Sequence, residues 1–276
     1  MIAFLQMAFY ASLLASIPSG LIGSYVVVKR IANMGGSISH SILAGMGLFL
    51  FLNRTFDLPW LLPLYGAFFS ALIAAGLIGY VHLHHRERED AVISAVWSTG
   101  MAIGVIFVAL TPGTNVELMN FLLGNILWVT PSDLLLLAIL DLFLIGIVLY
   151  NYRAFLALCF DEEQAELQGI NTRRLYILLL ALVAISIVVL MQVIGSILVI
   201  SLLAIPSMIA SLFTQRLPTL MTLSSLTTIS VSALGLATSY LFDWPPGATI
   251  GLLIAIAYFA SLWARNKYLK LTRAAK

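Results

Sequence analysis

Charge is scarce in this chain, and that scarcity decides its class before any motif is read. Only 9% of the 276 residues are Asp, Glu, Lys or Arg, while 61% are apolar. A water-soluble domain carries about a quarter charged residues to cover its surface, so the solvent of this chain is lipid. Cysteine is nearly missing. The single Cys159 excludes an internal disulfide and cannot build a thiolate metal site alone. Long polar stretches are lacking too, which leaves room for loops and a tail but for no extended soluble domain. The chain has no GxxxxGK[ST] loop, so it lacks the usual backbone cradle for ATP phosphates. Neither HExxH nor GxSxG occurs. Nothing supports a catalytic role for this chain alone, and it reads as a non-enzyme.

What is present is a series of apolar runs near twenty residues long, the length that crosses a bilayer. The first, MIAFLQMAFYASLLASIPSGLIGSYVVV, has no basic leader and exceeds the apolar core of a signal peptide, so it reads as a retained span. Turn signals and charges place the runs at about 3–28, 37–52, 60–81, 91–111, 132–152, 174–191, 195–213, 219–242 and 247–264. A weaker run at 117–129 reads as interfacial or re-entrant. The stretch from Arg174 to Thr214 is too long for one crossing and is expected to break near Gln192–Gly195. With the N-terminus outside, every Lys and Arg except Arg54 falls on the inner side, a strong positive-inside bias. The expected architecture is an all-α polytopic membrane protein of nine helices, with eight as the alternative count. It forms one transmembrane domain over 1–276 with a basic cytoplasmic tail at 265–276.

Local chemistry agrees with these cuts. Thr130-Pro131-Ser132-Asp133 offers an N-cap, a first-position proline and an acid in the first turn. Asp243-Trp244-Pro245-Pro246-Gly247 reads as a turn between two spans. Pro206 lies inside the seventh span. It removes a backbone donor and bends the helix, leaving the carbonyl four residues earlier to find another partner. One inner loop, FDEEQAELQGINTRR, differs from the other connectors. Asp161 can cap a helix, Gln164 can reciprocate, and Gly169 can close it in a left-handed conformation. The pattern predicts a short helix over Glu162–Gln168 outside the bilayer, with Glu162, Glu163 and Glu166 on an acidic face. Such a helix is either a solvated connector or a docking element for a soluble partner.

Five stretches then occur in a fixed order: GSYVVVKRIANMGGSISHSILAG, FLLGNILWVTPSDL, FDEEQAELQGI, IGSILVISLLAIPSMIA and FDWPPGATIGL. Together they resemble the zinc/manganese-type permease family of ABC transporters, the membrane subunits of metal-ion importers. The resemblance implies a helical bundle similar to that of vitamin-B12-type importer permeases, in a prokaryotic plasma membrane. It also implies a separate ATPase subunit, an extracytoplasmic metal-binding protein, and a second permease chain in a homo- or heterodimer. No nucleic acid and no resident cofactor are expected; the divalent metal is cargo. On this resemblance the segment from Asp161 to Gly169 is the coupling helix.

The motif GGSISHSILAG poses the remaining question, since it sets His40 in an apolar span. Gly36, His40, Leu43 and Gly47 share one helical stripe, flanked by Ser37, Ser41, Ala44 and Gly45. Small faces pack helices closely, and neutral imidazole also binds transition metals, so packing and ligation both stand as readings. The resemblance puts this histidine on the metal route with an aspartate one turn earlier, where this chain has Gly36. Either another acid replaces the missing one, with Asp141 near mid-span the candidate because an unpaired carboxylate there is costly, or the substrate differs. His82, His84 and His85 in HLHHRERED read first as a solvated loop. Asp57, Glu117, Asp133 and Asp243 make the outer loops acidic, able to attract cations or dock a binding protein; on the resemblance, Asp243 is structural. Trp60, Trp97, Trp128, Trp244 and Trp263 read as interfacial anchors, and Met34, Met46 and Met208 as packing. The leading expectation is a permease subunit of an ATP-driven importer for zinc or manganese first and iron next, working by alternating access. The alternatives are a gradient-driven secondary transporter, an ABC permease for another small cargo, and, on the thinnest grounds, an intramembrane enzyme.

Overall fold

The computed structural model describes residues 2–84, 89–113, 126 and 129–274. Among them there is no strand, and eleven helices follow in order: α1 (Ile2–Val28), α2 (Ala32–Phe56), α3 (Pro63–His84), α4 (Glu89–Leu110), α5 (Pro131–Tyr150), α6 (Tyr152–Phe160), α7 (Glu162–Leu167), α8 (Thr172–Ile194), α9 (Ser196–Ser211), α10 (Leu217–Phe242) and α11 (Pro246–Ala274). Eight of these, α1–α5, α8, α10 and α11, are long and apolar enough to cross a membrane. The ninth apolar helix, α9, has 16 residues. At about 1.5 Å per residue it falls short of the roughly 30 Å hydrocarbon core. The nine-segment expectation therefore resolves into eight full-length helices and one short one. The weak run at 117–129 lies outside the described residues except for Ile126 and Val129, both buried.

Helix ends form where side chains satisfy or break the backbone ladder. Thr130 and Asp133 form a complete capping box at the start of α5. Asp57 and Asp243 close α2 and α10 in the left-handed conformation, both at φ 52°. The expected break in the long apolar stretch falls at Gly195, whose φ of 82° and ψ of 162° belong to a region open essentially to glycine alone. The chain therefore leaves α8 and starts α9 with no loop.

Packing arranges the helices around α8, which touches α1, α2, α3, α5 and α9. Its most apolar stretch is 72% buried, against 17% for α4 and for α11, as expected for a helix that is apolar all round. On one side α2 packs between α3 and α4. A Cβ on Gly45 or on Gly66 would overlap the other residue's backbone, so α2 and α3 cross with backbones nearly touching. Hydroxyls of Ser37 and Ser41 donate to carbonyls of Ile93 and Val96 at 2.8 and 3.1 Å, while Arg54 donates to Pro112 at the far end. α2 and α4 thus run parallel, as two helices separated by one return crossing must.

On the other side α1 packs against α9 and α10. Pro206 lies in α9, and the carbonyl it leaves without a helical donor is that of Leu202. The Ser19 hydroxyl of α1 donates to that carbonyl. Ser19 also meets Thr228 of α10 at 2.9 Å, and Ser207 of α9 meets Ser224 at 2.7 Å. All four hydroxyl side chains are fully buried. In lipid an unsatisfied carbonyl costs several kcal/mol, so this cluster is what makes the proline tolerable.

Candidate functional site

His40 lies in α2, about one and a half to two helical turns before Gly45 and Gly47, and its surroundings follow from the α2–α4 register. The Ser37 and Ser41 hydrogen bonds hold α4 so that Trp97 lies flat on the imidazole, with ring centroids 4.4 Å apart and 11° between planes. The Trp97 indole N–H is turned away, toward the Met101 sulfur at 3.2 Å. One face of His40 is covered, the ring is half-buried, and neither ring nitrogen is hydrogen-bonded to a described residue. An imidazole edge left free in this way can accept a partner from outside the chain. Along the same stripe, Gly47 faces Gly104, whose carbonyl would lie 2.8 Å from an added Cβ. The far end of the stripe therefore packs on α4, while its His40 end keeps an open edge.

Gly36, one turn before His40, is buried yet has space. A Cβ built there would meet only Trp97, at 3.9 Å, an ordinary contact. Reading Trp97 as an interfacial anchor misses its role, because its ring forms one wall of this position. Only the parallel register of α2 and α4 reveals it.

Asp141 sits on α5, 3% exposed, with neither carboxylate oxygen hydrogen-bonded to a described residue. It shares its buried face with Leu137, Leu140, Leu144 and Val148. α5 packs on α1 and α8, whereas α2 packs on α3 and α4, so the structure does not bring Asp141 to His40. Among the described residues no group of three or more His, Cys, Asp or Glu gathers. His82 stacks on Tyr176 at 4.3 Å, and His84 stacks on Tyr80 at 4.4 Å. The two histidines therefore serve different neighbours, and His85 lies outside the described residues. Of the outer acids, Asp133 is bound into its capping box and Asp57 and Asp243 occupy cap positions; Glu117 lies outside the described residues.

The predicted short helix forms as α7, one residue shorter than expected. The Asp161 carboxylate accepts from the Gln164 N–H at 2.9 Å, and Gly169 closes the segment at φ 80°. The return bond from the Gln164 side chain does not form. Ala165 is buried while Leu167 is 89% exposed, so the helix is seated on one face and presents an apolar residue on another. Glu162 pairs with Lys29, and Glu166 accepts from the Thr172 hydroxyl. The acidic face is thus partly turned inward, and Glu163 remains exposed.

Comparisons with known proteins extend over nearly the whole chain. A family model described as the ABC 3 transport family matches residues 1–265. A protein of Chlamydia pneumoniae named as a probable metal transport system membrane protein is 47% identical over 260 residues, covering 94% of this chain and 88% of that one. The manganese transport system membrane protein MntC of Halalkalibacterium halodurans is 32% identical over 263 residues, covering 94% and 88%. Among solved structures, PsaBC from Streptococcus pneumoniae in complex with Fab superposes with a TM-score of 0.83 at 28% identity. That match covers 98% of this chain and 95% of the matched one.

Proposed function

This chain belongs to the ABC 3 transport family, and from that premise we propose that it moves a divalent transition metal ion, manganese first, across a prokaryotic plasma membrane. It is a multi-pass membrane permease of a transport system. The finer reading is that a separate ATPase grips α7 from the cytoplasm, an extracytoplasmic protein delivers the ion, and a second permease chain completes the path. The near one-sided placement of Lys and Arg supports an outer N-terminus and an inner C-terminus. Manganese is placed ahead of zinc and iron because MntC, a relative along most of its length, carries that metal in its name.

The observation that carries this reading is the free edge of His40, on a helix rooted about 12 Å from that imidazole at the turn that α7 touches. A neutral nitrogen beside hydroxyls and no anion makes a weak site, which suits an ion that must leave as readily as it arrives. The test is manganese uptake into proteoliposomes holding this chain and its ATPase. Uptake is expected to require ATP and to vanish when Glu162–Leu167 is deleted. Uptake that ignores both would overturn the reading. The second reading, a carrier driven by an ion gradient, is favoured only by the buried Asp141. It predicts uptake that follows an imposed gradient with ATP absent.

A further inference from the structure

We propose that Lys29 is the joint through which movement of α7 reaches α2 and its His40, an inference that rests on the reading above. Lys29 follows α1 directly. Its ammonium donates to the Glu162 carboxylate on α7 and to the Leu158 carbonyl on α6, the latter at 3.1 Å. The same ammonium stands 5.9 Å over the ring of Tyr176 on α8. Tyr176 is stacked on His82 of α3, and its hydroxyl donates to the Met34 sulfur on α2 at 3.4 Å. One ammonium and one phenol ring therefore connect the membrane-external helix to three of the long helices.

The turn that follows Lys29 is stiff. Arg30 is held in the left-handed region at φ 60°, and Ile31 is 4% exposed. The Ile31 N–H donates to the Val26 carbonyl at 2.9 Å, while its own carbonyl accepts from Met34 and Gly35. A displacement of Lys29 has no slack to disappear into and must shift the first turn of α2. His40 rides on that same helix.

The pair is shielded enough to transmit force. The Lys29 side chain is 12% exposed and that of Glu162 31%, so water screens the contact less than it would a surface pair. Cys159 lies beside it, and burial pushes its thiol up to about 12, Lys29 drawing it down and Glu162 pushing it up. At its other end α7 is held by Glu166 and Thr172, which anchors it to α8 and leaves Leu167 and Glu163 facing outward.

The experiment uses the complex of this chain with its ATPase in proteoliposomes and manganese as the probe. Lys29→Met is expected to leave the ATPase subunit bound while the manganese moved per ATP hydrolysed falls about five- to a hundredfold, the usual range of a coupling interaction. Lys29→Arg should keep most of that ratio. The exchange of Lys29→Glu with Glu162→Lys should recover part of it, and this readout holds even if Lys29→Met alone assembles poorly. An unchanged ratio in Lys29→Met, or a charge exchange no better than the worse single variant, would overturn the proposal. Absence of ATP-dependent uptake by the wild-type complex would overturn the proposed function itself, and the inference with it.

Discussion

The two sides of the bundle handle polar residues in opposite ways. Where α1, α9 and α10 meet, Ser19, Ser207, Ser224 and Thr228 are fully buried and use their hydroxyls on one another and on the Leu202 carbonyl that Pro206 strands. Where α2 meets α4, the serines are likewise occupied, but His40 between them is half-buried with a free edge. Both places have small residues and close helices. The difference is satisfaction: in lipid a polar group with partners is architecture, and one kept without partners needs another reason to be there.

The sharpest break of this comparison is to remove each kind of group in turn. His40→Ala is expected to lower manganese uptake by about a hundredfold, the loss of a metal ligand outweighing anything a packing residue costs. Its melting temperature should move little, since what leaves the fold is one stacking contact on Trp97. Ser19→Ala should do the reverse, with a loss of about 2 kcal/mol of stability from the exposed need of the Leu202 carbonyl and a smaller change in uptake. The decisive form is a double-mutant cycle. Pro206→Ala restores a backbone N–H to Leu202, so Ser19→Ala in that background should cost much less. Equal losses in both backgrounds, read by thermal melting in detergent, would show that Ser19 is not the partner of the stranded carbonyl.

Gly36→Asp sharpens the same contrast at His40. Space beside Trp97 accepts the side chain, and a carboxylate one turn from the imidazole supplies the anion this site lacks. Manganese binding by the purified protein, read by calorimetry, should tighten at least about tenfold, because a unit charge about 4 Å from a cation is worth roughly 4 kcal/mol at an effective dielectric of about 20, above the roughly 1.4 kcal/mol that a tenfold change requires. Unchanged affinity would mean that the free edge of His40 does not face the ion.

What the sequence made legible was what one helix imposes on itself. The run lengths, the break at Gly195, the cap at Asp161, the capping box at Thr130 and the stranding of a carbonyl by Pro206 all follow from local backbone chemistry. The identity of the partner that rescues Leu202 did not follow, because Ser19 lies 183 positions away. For the same reason Trp97 read as an anchor and Lys29 as one more inner charge. Their roles depend on which helices touch and in what register, and Ser37 and Ser41, though spaced to share one face of α2, do not say which carbonyls of α4 they will meet. The shortness of α9 was hidden too, since apolar composition runs on past Ser211 to Phe213 while the helix stops.

Asp141 is the residue on which the comparison can fail by the smallest margin. It is buried nearly as deeply as the serines yet unsatisfied as His40 is, and its helix packs chiefly on α1 and α8. Replacing a buried acid with no partner by an apolar side chain of similar size generally stabilises the fold, here by about 1 kcal/mol. If satisfaction marks architecture, Asp141→Leu should raise the melting temperature and lower uptake together, because a group retained at a cost to stability is retained for transport. A rise in melting temperature with uptake unchanged would show that lipid-facing bundles carry unpaired acids without a use for them, and the rule that singles out His40 would lose its force.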